Sequence, residues 1–147
     1  EPQHNVRGPG DLGRGSREFP ALMLSLETQR GRCHGLAFRI EAASVHAETA
    51  ILWRREMLRG GYAPALVPMA TPQGPITALA FVSNPVHPSY VGELPLEETA
   101  SLIASGKGIL GTNREYLVQL ATQLEALGIE DPYVAQLYAR IDSDPTS

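Results

Sequence analysis

A carboxylate set among apolar neighbours is the feature of this chain best suited to chemistry, and Glu56 is that carboxylate. At ~100° per residue, a helix through this region places Val45, Thr49, Leu52 and Glu56 on one narrow stripe flanked by Trp53 and Met57, with Glu48, Arg55 and Arg59 on another side. Burial of that stripe would penalise the ionised acid and raise its pKa, the usual device for an acid/base group near neutral pH. The plainer alternative is a helix-end glutamate that pairs with Arg59 or reaches solvent. Apolar Ile51 and Leu58 leave the helix without a single greasy face, so periodicity alone favours that alternative. Tyr116 shares a helix side with Leu120 and reads by default as a core aromatic whose hydroxyl reaches an edge. Asn113 lies just inside a T-x-x-E capping box formed by Thr112 and Glu115 and reads by default as a surface residue.

Other chemistry-bearing patterns are weaker. Gly8-Pro9-Gly10-Asp11-Leu12-Gly13 matches G-x-G-x-x-G, but the preceding Glu1 to Arg7 makes a poor strand and Pro20 follows soon after, so the context contradicts a dinucleotide site. His4, His34, His46 and His87 lack the H-x-x-x-H and H-E-x-x-H spacings, and no metal site is expected. Cys33 has no placed histidine base and reads as a small inert residue. There is no G-x-S-x-G elbow, and Glu97-Glu98 in a first helical turn is explained by the helix dipole.

Elements must position these residues. Apolar runs at Ala21 to Leu26 and Gly35 to Ile40, separated by charged and Gly-containing sequence, predict a hairpin. Runs at Ala65 to Met69 and Ile76 to Val82, separated by Pro72, Gly74 and Pro75, predict two more strands. Ser44 can cap a helix from about Val45 to Arg59 that Gly60-Gly61 stops. A shorter helix follows Pro95 and ends near Gly106. The Thr112/Glu115 box opens a third, with Leu117, Leu120, Leu124 and Leu127 before Gly128, and Asp131-Pro132 opens a last one with Val134, Leu137 and Ile141 on one side. Strands mostly precede helices, which predicts an α+β domain. Residues 1 to 16 are rich in glycine and carry little apolar bulk, so they read as loop or mobile arm.

The whole chain has 147 residues, 43% hydrophobic and 19% charged, the composition of one ordinary globular domain. A net charge of -4 with scattered basic residues gives no footprint for nucleic acid. No apolar run approaches the roughly 20 residues that span a bilayer, so no membrane association is expected. The single cysteine cannot form an internal disulfide and points to a reducing, cytoplasmic setting. Oligomeric state is not legible.

Four segments in order resemble one family. Ile51 to Tyr62, which reads Ile-Leu-Trp-Arg-Arg-Glu-Met-Leu-Arg-Gly-Gly-Tyr, is similar to the helix-to-Gly-Tyr segment of the ChaC-type γ-glutamylcyclotransferases, whose catalytic glutamate falls on Glu56. Arg14-Gly15-Ser16, Gly35 to Ile40 and Gly108 to Leu117 agree in the same order, so the likeness runs from about Arg14 to Ile141. It implies a γ-glutamylcyclotransferase-like fold, a barrel-like mixed sheet with flanking helices, over residues 14–147, with residues 1–13 an atypical arm. It further implies conversion of glutathione to 5-oxoproline and cysteinylglycine without metal or cofactor, Glu56 as general acid/base, and Tyr116 and Asn113 as substrate-binding residues. The family pattern begins with a strand leading into a Tyr-Gly-Ser-Leu loop. That tetrapeptide does not occur in these residues, so the resemblance predicts a domain without this strand and loop. The same departure motivates an alternative, a non-catalytic domain that binds γ-glutamyl groups or another protein.

Overall fold

A computed structural model describes residues 6–7, 13–28, 31–58 and 60–142. The element order is β1 (Val6–Arg7), β2 (Leu22–Met23), a 3-10 turn (Ala42–Ser44), α1 (Val45–Met57), β3 (Tyr62–Thr71), β4 (Gly74–Ser83), α2 (Leu96–Ser105), β5 (Lys107–Gly108), β6 (Gly111–Thr112), α3 (Asn113–Ala126) and α4 (Pro132–Asp142). The α+β class expected from the sequence is present. Among the described residues the strands form three two-stranded antiparallel sheets, β1-β2, β3-β4 and β5-β6, and no closed barrel. The expected barrel-like sheet is therefore not closed among the described residues, where β4 joins a further chain segment through a parallel bridge from Leu26 to Val82.

The β3-β4 hairpin is longer than its apolar runs suggested. It closes at Thr71 and Gly74 around Pro72-Gln73 and stays in register to Tyr62 and Ser83. Pro75 opposite Ala70 has no N–H to donate, and Pro68 and Pro64 fall at the same parity. All three prolines thus lie where the amide points away from the partner strand, which is how a ladder tolerates them. Tyr62 and Ser83 share that parity, the class of pair whose side chains approach most closely.

The hairpin expected from 21–26 and 35–40 does not form. Leu22–Met23 pairs instead with Val6–Arg7, and Ser83 N–H donates to Leu26 O at 2.7 Å, so the hydrogen-bonding partners of 21–26 come from elsewhere in the chain. Gly35 to Ile40 has no regular structure, with Leu36 and Phe38 exposed. Val6–Arg7 is a short strand within the stretch read as loop or arm; residues 1–5 and 8–12, including most of the G-x-G-x-x-G match, lie outside the described residues.

The helices follow their boundary signals closely. In α3, Thr112 Oγ1 accepts from Glu115 N–H at 3.1 Å and Glu115 Oε2 accepts from Thr112 N–H at 2.8 Å, the reciprocal box. Asp131 Oδ1 accepts from the N–H groups of Tyr133 and Val134, both at 3.0 Å, and so opens α4. Ser44 is the exception. It continues from the 3-10 turn in helical conformation, so its hydroxyl makes no capping bond. Helix α1 ends at Met57 rather than Arg59, which lies outside the described residues. The core joins Leu22 to Ala100 and Ile103 of α2, Leu117 of α3, and Val134, Leu137 and Ile141 of α4.

Candidate active site

Helix α3 is fixed by its box, and its first residue, Asn113, points inward with no exposed surface. Both ends of the amide engage one residue: Oδ1 accepts from Leu22 N–H and Nδ2 donates to Leu22 O, each at 2.7 Å. The side chain replaces a neighbouring strand and pins β2. It is thus a buried residue, not the surface residue its place in the capping box suggested. Three residues on, on the same helix face, the hydroxyl of Tyr116 accepts from Leu24 N–H at 3.2 Å. Burial pushes the Tyr116 phenol above its ordinary 10.0, and the Leu24 amide partly opposes that.

The segment held by Asn113 and Tyr116 then reaches the long hairpin. Ser25 Oγ lies 2.5 Å from Ser83 Oγ, both residues being buried. Ser83 stands directly opposite Tyr62 at the start of β3. Tyr62 is half-buried, and its phenol is pushed above 10.0 first by burial, then by the negative charge of Glu56 and by Tyr116. Glu56, Tyr62 and Tyr116, from α1, β3 and α3, therefore share one electrostatic neighbourhood. Glu56 and Tyr116 share no hydrogen bond among the described residues; Tyr62 stands in the field of both.

Glu56 reaches this place from the last turn of α1. Its side chain is 20% exposed, and Oε1 accepts from Arg55 Nε at 2.6 Å, with the Arg55 side chain 72% exposed. The partner is the preceding arginine; the expected pairing with Arg59 lies outside the described residues. An ion pair so open to water contributes little to stability. Helix α1 buries none of its residues, so the stripe carrying Glu56 is not a core face. The carboxylate is placed instead by the helix end and the Gly60-Gly61 turn that hands the chain to Tyr62. Gly60, at φ 69°, takes the left-handed conformation that favours glycine.

Chemically the neighbourhood offers one carboxylate able to accept and return a proton, two phenols held in the neutral form well into alkaline pH, and the neighbouring Ser25–Ser83 pair. Among the described residues no group of three or more His, Cys, Asp and Glu side chains is placed to hold a metal ion, and no helix is long and apolar enough to cross a membrane. Sequence reading singled out Glu56, Tyr116 and Asn113 but passed over Tyr62 and the two serines. Tyr62 carried a signal in the Gly-Gly-Tyr run; the serines carried none, because only strand register brings Ser25 and Ser83 together.

Comparison with known proteins places this geometry in context. The family model described as ChaC-like protein matches residues 10–144. A glutathione-specific gamma-glutamylcyclotransferase of Escherichia coli (strain K12) is 37% identical over 120 residues, covering 81% of this chain and 52% of the bacterial protein. The glutathione-specific gamma-glutamylcyclotransferase 1 of Danio rerio is 34% identical over 134 residues, covering 87% of this chain and 68% of its own length. The chain spans about half the length of the bacterial relative. Among solved structures, a gamma-glutamyl cyclotransferase specific to glutathione from yeast superposes with a TM-score of 0.74 over 96% of this chain and 82% of its own, at 16% identity, a likeness of fold.

Proposed function

The chain belongs to the ChaC-like family, and from that footing we propose that it is the cyclotransferase domain of an enzyme that degrades glutathione to 5-oxoproline and cysteinylglycine. What supports this reading is the similarity to glutathione-specific relatives, up to 37% identical, together with the electrostatic influence that Glu56 and Tyr116, from two other elements, exert on Tyr62.

The reaction needs no external nucleophile. The α-amine of the γ-glutamyl group attacks its own γ-carbonyl carbon, a C–N bond forms to close the five-membered lactam, and the amide bond to cysteine breaks. The α-nitrogen sheds two protons on its way from ammonium to lactam N–H, one before and one after it attacks, and the cysteine nitrogen gains two on its way from amide to ammonium. Glu56 carries them, taking a proton from the α-nitrogen as base and returning it to the departing nitrogen as acid, so the carboxylate ends as it began. The tethered amine supplies proximity, and the protein's task is orientation. Tyr62 and Tyr116, neutral at working pH, hydrogen-bond the γ-glutamyl group. Asn113 serves the substrate through the Leu22 backbone it fixes, because both ends of its amide are engaged there. Glutathione and the single unpaired Cys33 both suit a reducing cytoplasm.

The test is product analysis with the full-length protein: glutathione should give 5-oxoproline and cysteinylglycine in equal amounts. Binding of glutathione and other γ-glutamyl amides without release of 5-oxoproline from any of them would instead establish the non-catalytic alternative.

A further inference from the structure

Only the short linker after α1 separates Glu56 from Tyr62, and it contains two successive glycines, the least rigid pair a chain can place there. A mechanism resting on one carboxylate needs that link stiff. The stiffness comes from outside it, from the loop between β4 and α2. Asn84 N–H donates to Gly61 O at 2.9 Å, and Asn84 Nδ2 donates to Gly60 O at 3.0 Å. Asn84 Oδ1 accepts from Val86 N–H at 3.3 Å, so the amide is oriented by its own loop. The loop is closed by His87 N–H to Asn84 O at 3.1 Å and Tyr90 N–H to His87 O at 2.9 Å, and its far end is anchored by Tyr90 O–H donating to Glu27 at 2.8 Å.

His87 completes the contact. Its Nδ1 accepts from Ser89 N–H at 3.2 Å and lies 2.6 Å from Ser89 Oγ, which sets the ring against the turn. A Cβ added at Gly60 would meet His87 Cδ2 at 3.4 Å, and one at Gly61 would meet Ser89 Oγ at 3.5 Å. These are ordinary van der Waals distances, so the ring and hydroxyl line the turn without requiring glycine there; φ 69° is what favours glycine at 60, and the loop replaces the stiffness the glycines forfeit. Gly60 N–H in turn donates to Met57 O at 3.1 Å, which ties the clamped turn to the residue beside Glu56.

We propose that the Asn84–Tyr90 loop is a positioning clamp, with Asn84 and His87 as its working residues, that holds the Gly60-Gly61 turn and so sets the Glu56 carboxylate against Tyr62. The clamp touches no reacting atom; its catalytic consequence rests on Glu56 being the proton carrier.

Two variants of the full-length protein test it. Asn84→Asp keeps the acceptor for Val86 and removes the donor to Gly60; His87→Ala removes the ring. Each should lower kcat about ten- to a hundredfold, the usual effect of displacing a catalytic group by an ångström or so, with KM changed by less than about twofold. His87→Asn, whose side-chain oxygen can stand in for Nδ1 as acceptor from Ser89, should recover much of the loss. Amide hydrogen exchange should accelerate at Gly60 in Asn84→Asp and His87→Ala while the amides of α2, α3 and α4 keep their protection. Unchanged kcat overturns the clamp. So does a rise in KM alone, which would mean direct substrate contact, or a loss of kcat accompanied by faster exchange throughout, which would mean a folding defect. Should the parent turn over no γ-glutamyl amide, the role of Glu56 fails, and exchange at Gly60 alone decides whether the loop restrains the turn.

Discussion

Tyr62 and Tyr116 differ from the other residues of the site in what holds them. Tyr116 is half-buried with one backbone donor on its hydroxyl, and Tyr62 is half-buried opposite Ser83 with the Glu56 carboxylate nearby. Each is a phenol kept protonated by its surroundings. Both pKa values lie above the ordinary 10.0, so each tyrosine contributes stability that is fully present below pH 10.0 and is lost as pH rises through the folded value. In a tyrosinate absorbance titration, Tyr62→Phe should therefore remove a phenol that ionises late, above pH 10.0. Loss of a phenol that titrates at or below that value would contradict the placement of Tyr62 beside Glu56. The same variant should reduce turnover about tenfold, the worth of one hydrogen bond in the transition state.

Among the elements, β2 shows how little of a site local sequence specifies. The run Ala21 to Leu26 is apolar enough to predict a strand, yet nothing in it names its partners, and the hairpin with Gly35 to Ile40 was the wrong choice. Leu22 takes Arg7 and the Asn113 amide, Leu24 takes Tyr116, and Leu26 takes the end of β4. The helices were legible for the opposite reason: the Thr112/Glu115 box and the Asp131-Pro132 start are closed within a few residues, so the sequence contains both partners. Glu56 and Tyr116 were singled out as candidates through family likeness. Their link through Tyr62 depends on register over a ten-residue hairpin and could not be read locally. Asn113 tests how much β2 relies on a side-chain partner. Replacement by Ala strands a buried N–H and a buried C=O of Leu22 and should cost about 3 kcal/mol of unfolding free energy in urea denaturation. A change below about 0.5 kcal/mol, the range of ordinary surface substitutions, would show that water or a repacked neighbour satisfies Leu22 without it.

At the scale of the whole molecule, the core of β2 with α2, α3 and α4 and the β3-β4 hairpin meet along the segment from Leu22 to Leu26, and the polar groups gather at that meeting line. The helical side supplies Tyr116, and the hairpin supplies Tyr62 and, through the turn before it, the end of α1 that bears Glu56. The carboxylate of Glu56 on the one side and the neutral phenol of Tyr116 on the other both act on Tyr62. The most direct measurement of this account compares the full-length parent with Glu56→Gln, following 5-oxoproline release from glutathione and the affinity for glutathione by calorimetry. Gln keeps size and hydrogen bonding but cannot carry a proton, so kcat should fall about a hundredfold or more while affinity stays within a few-fold of the parent. A Gln variant that releases 5-oxoproline as fast as the parent would show that Glu56 is not the proton carrier.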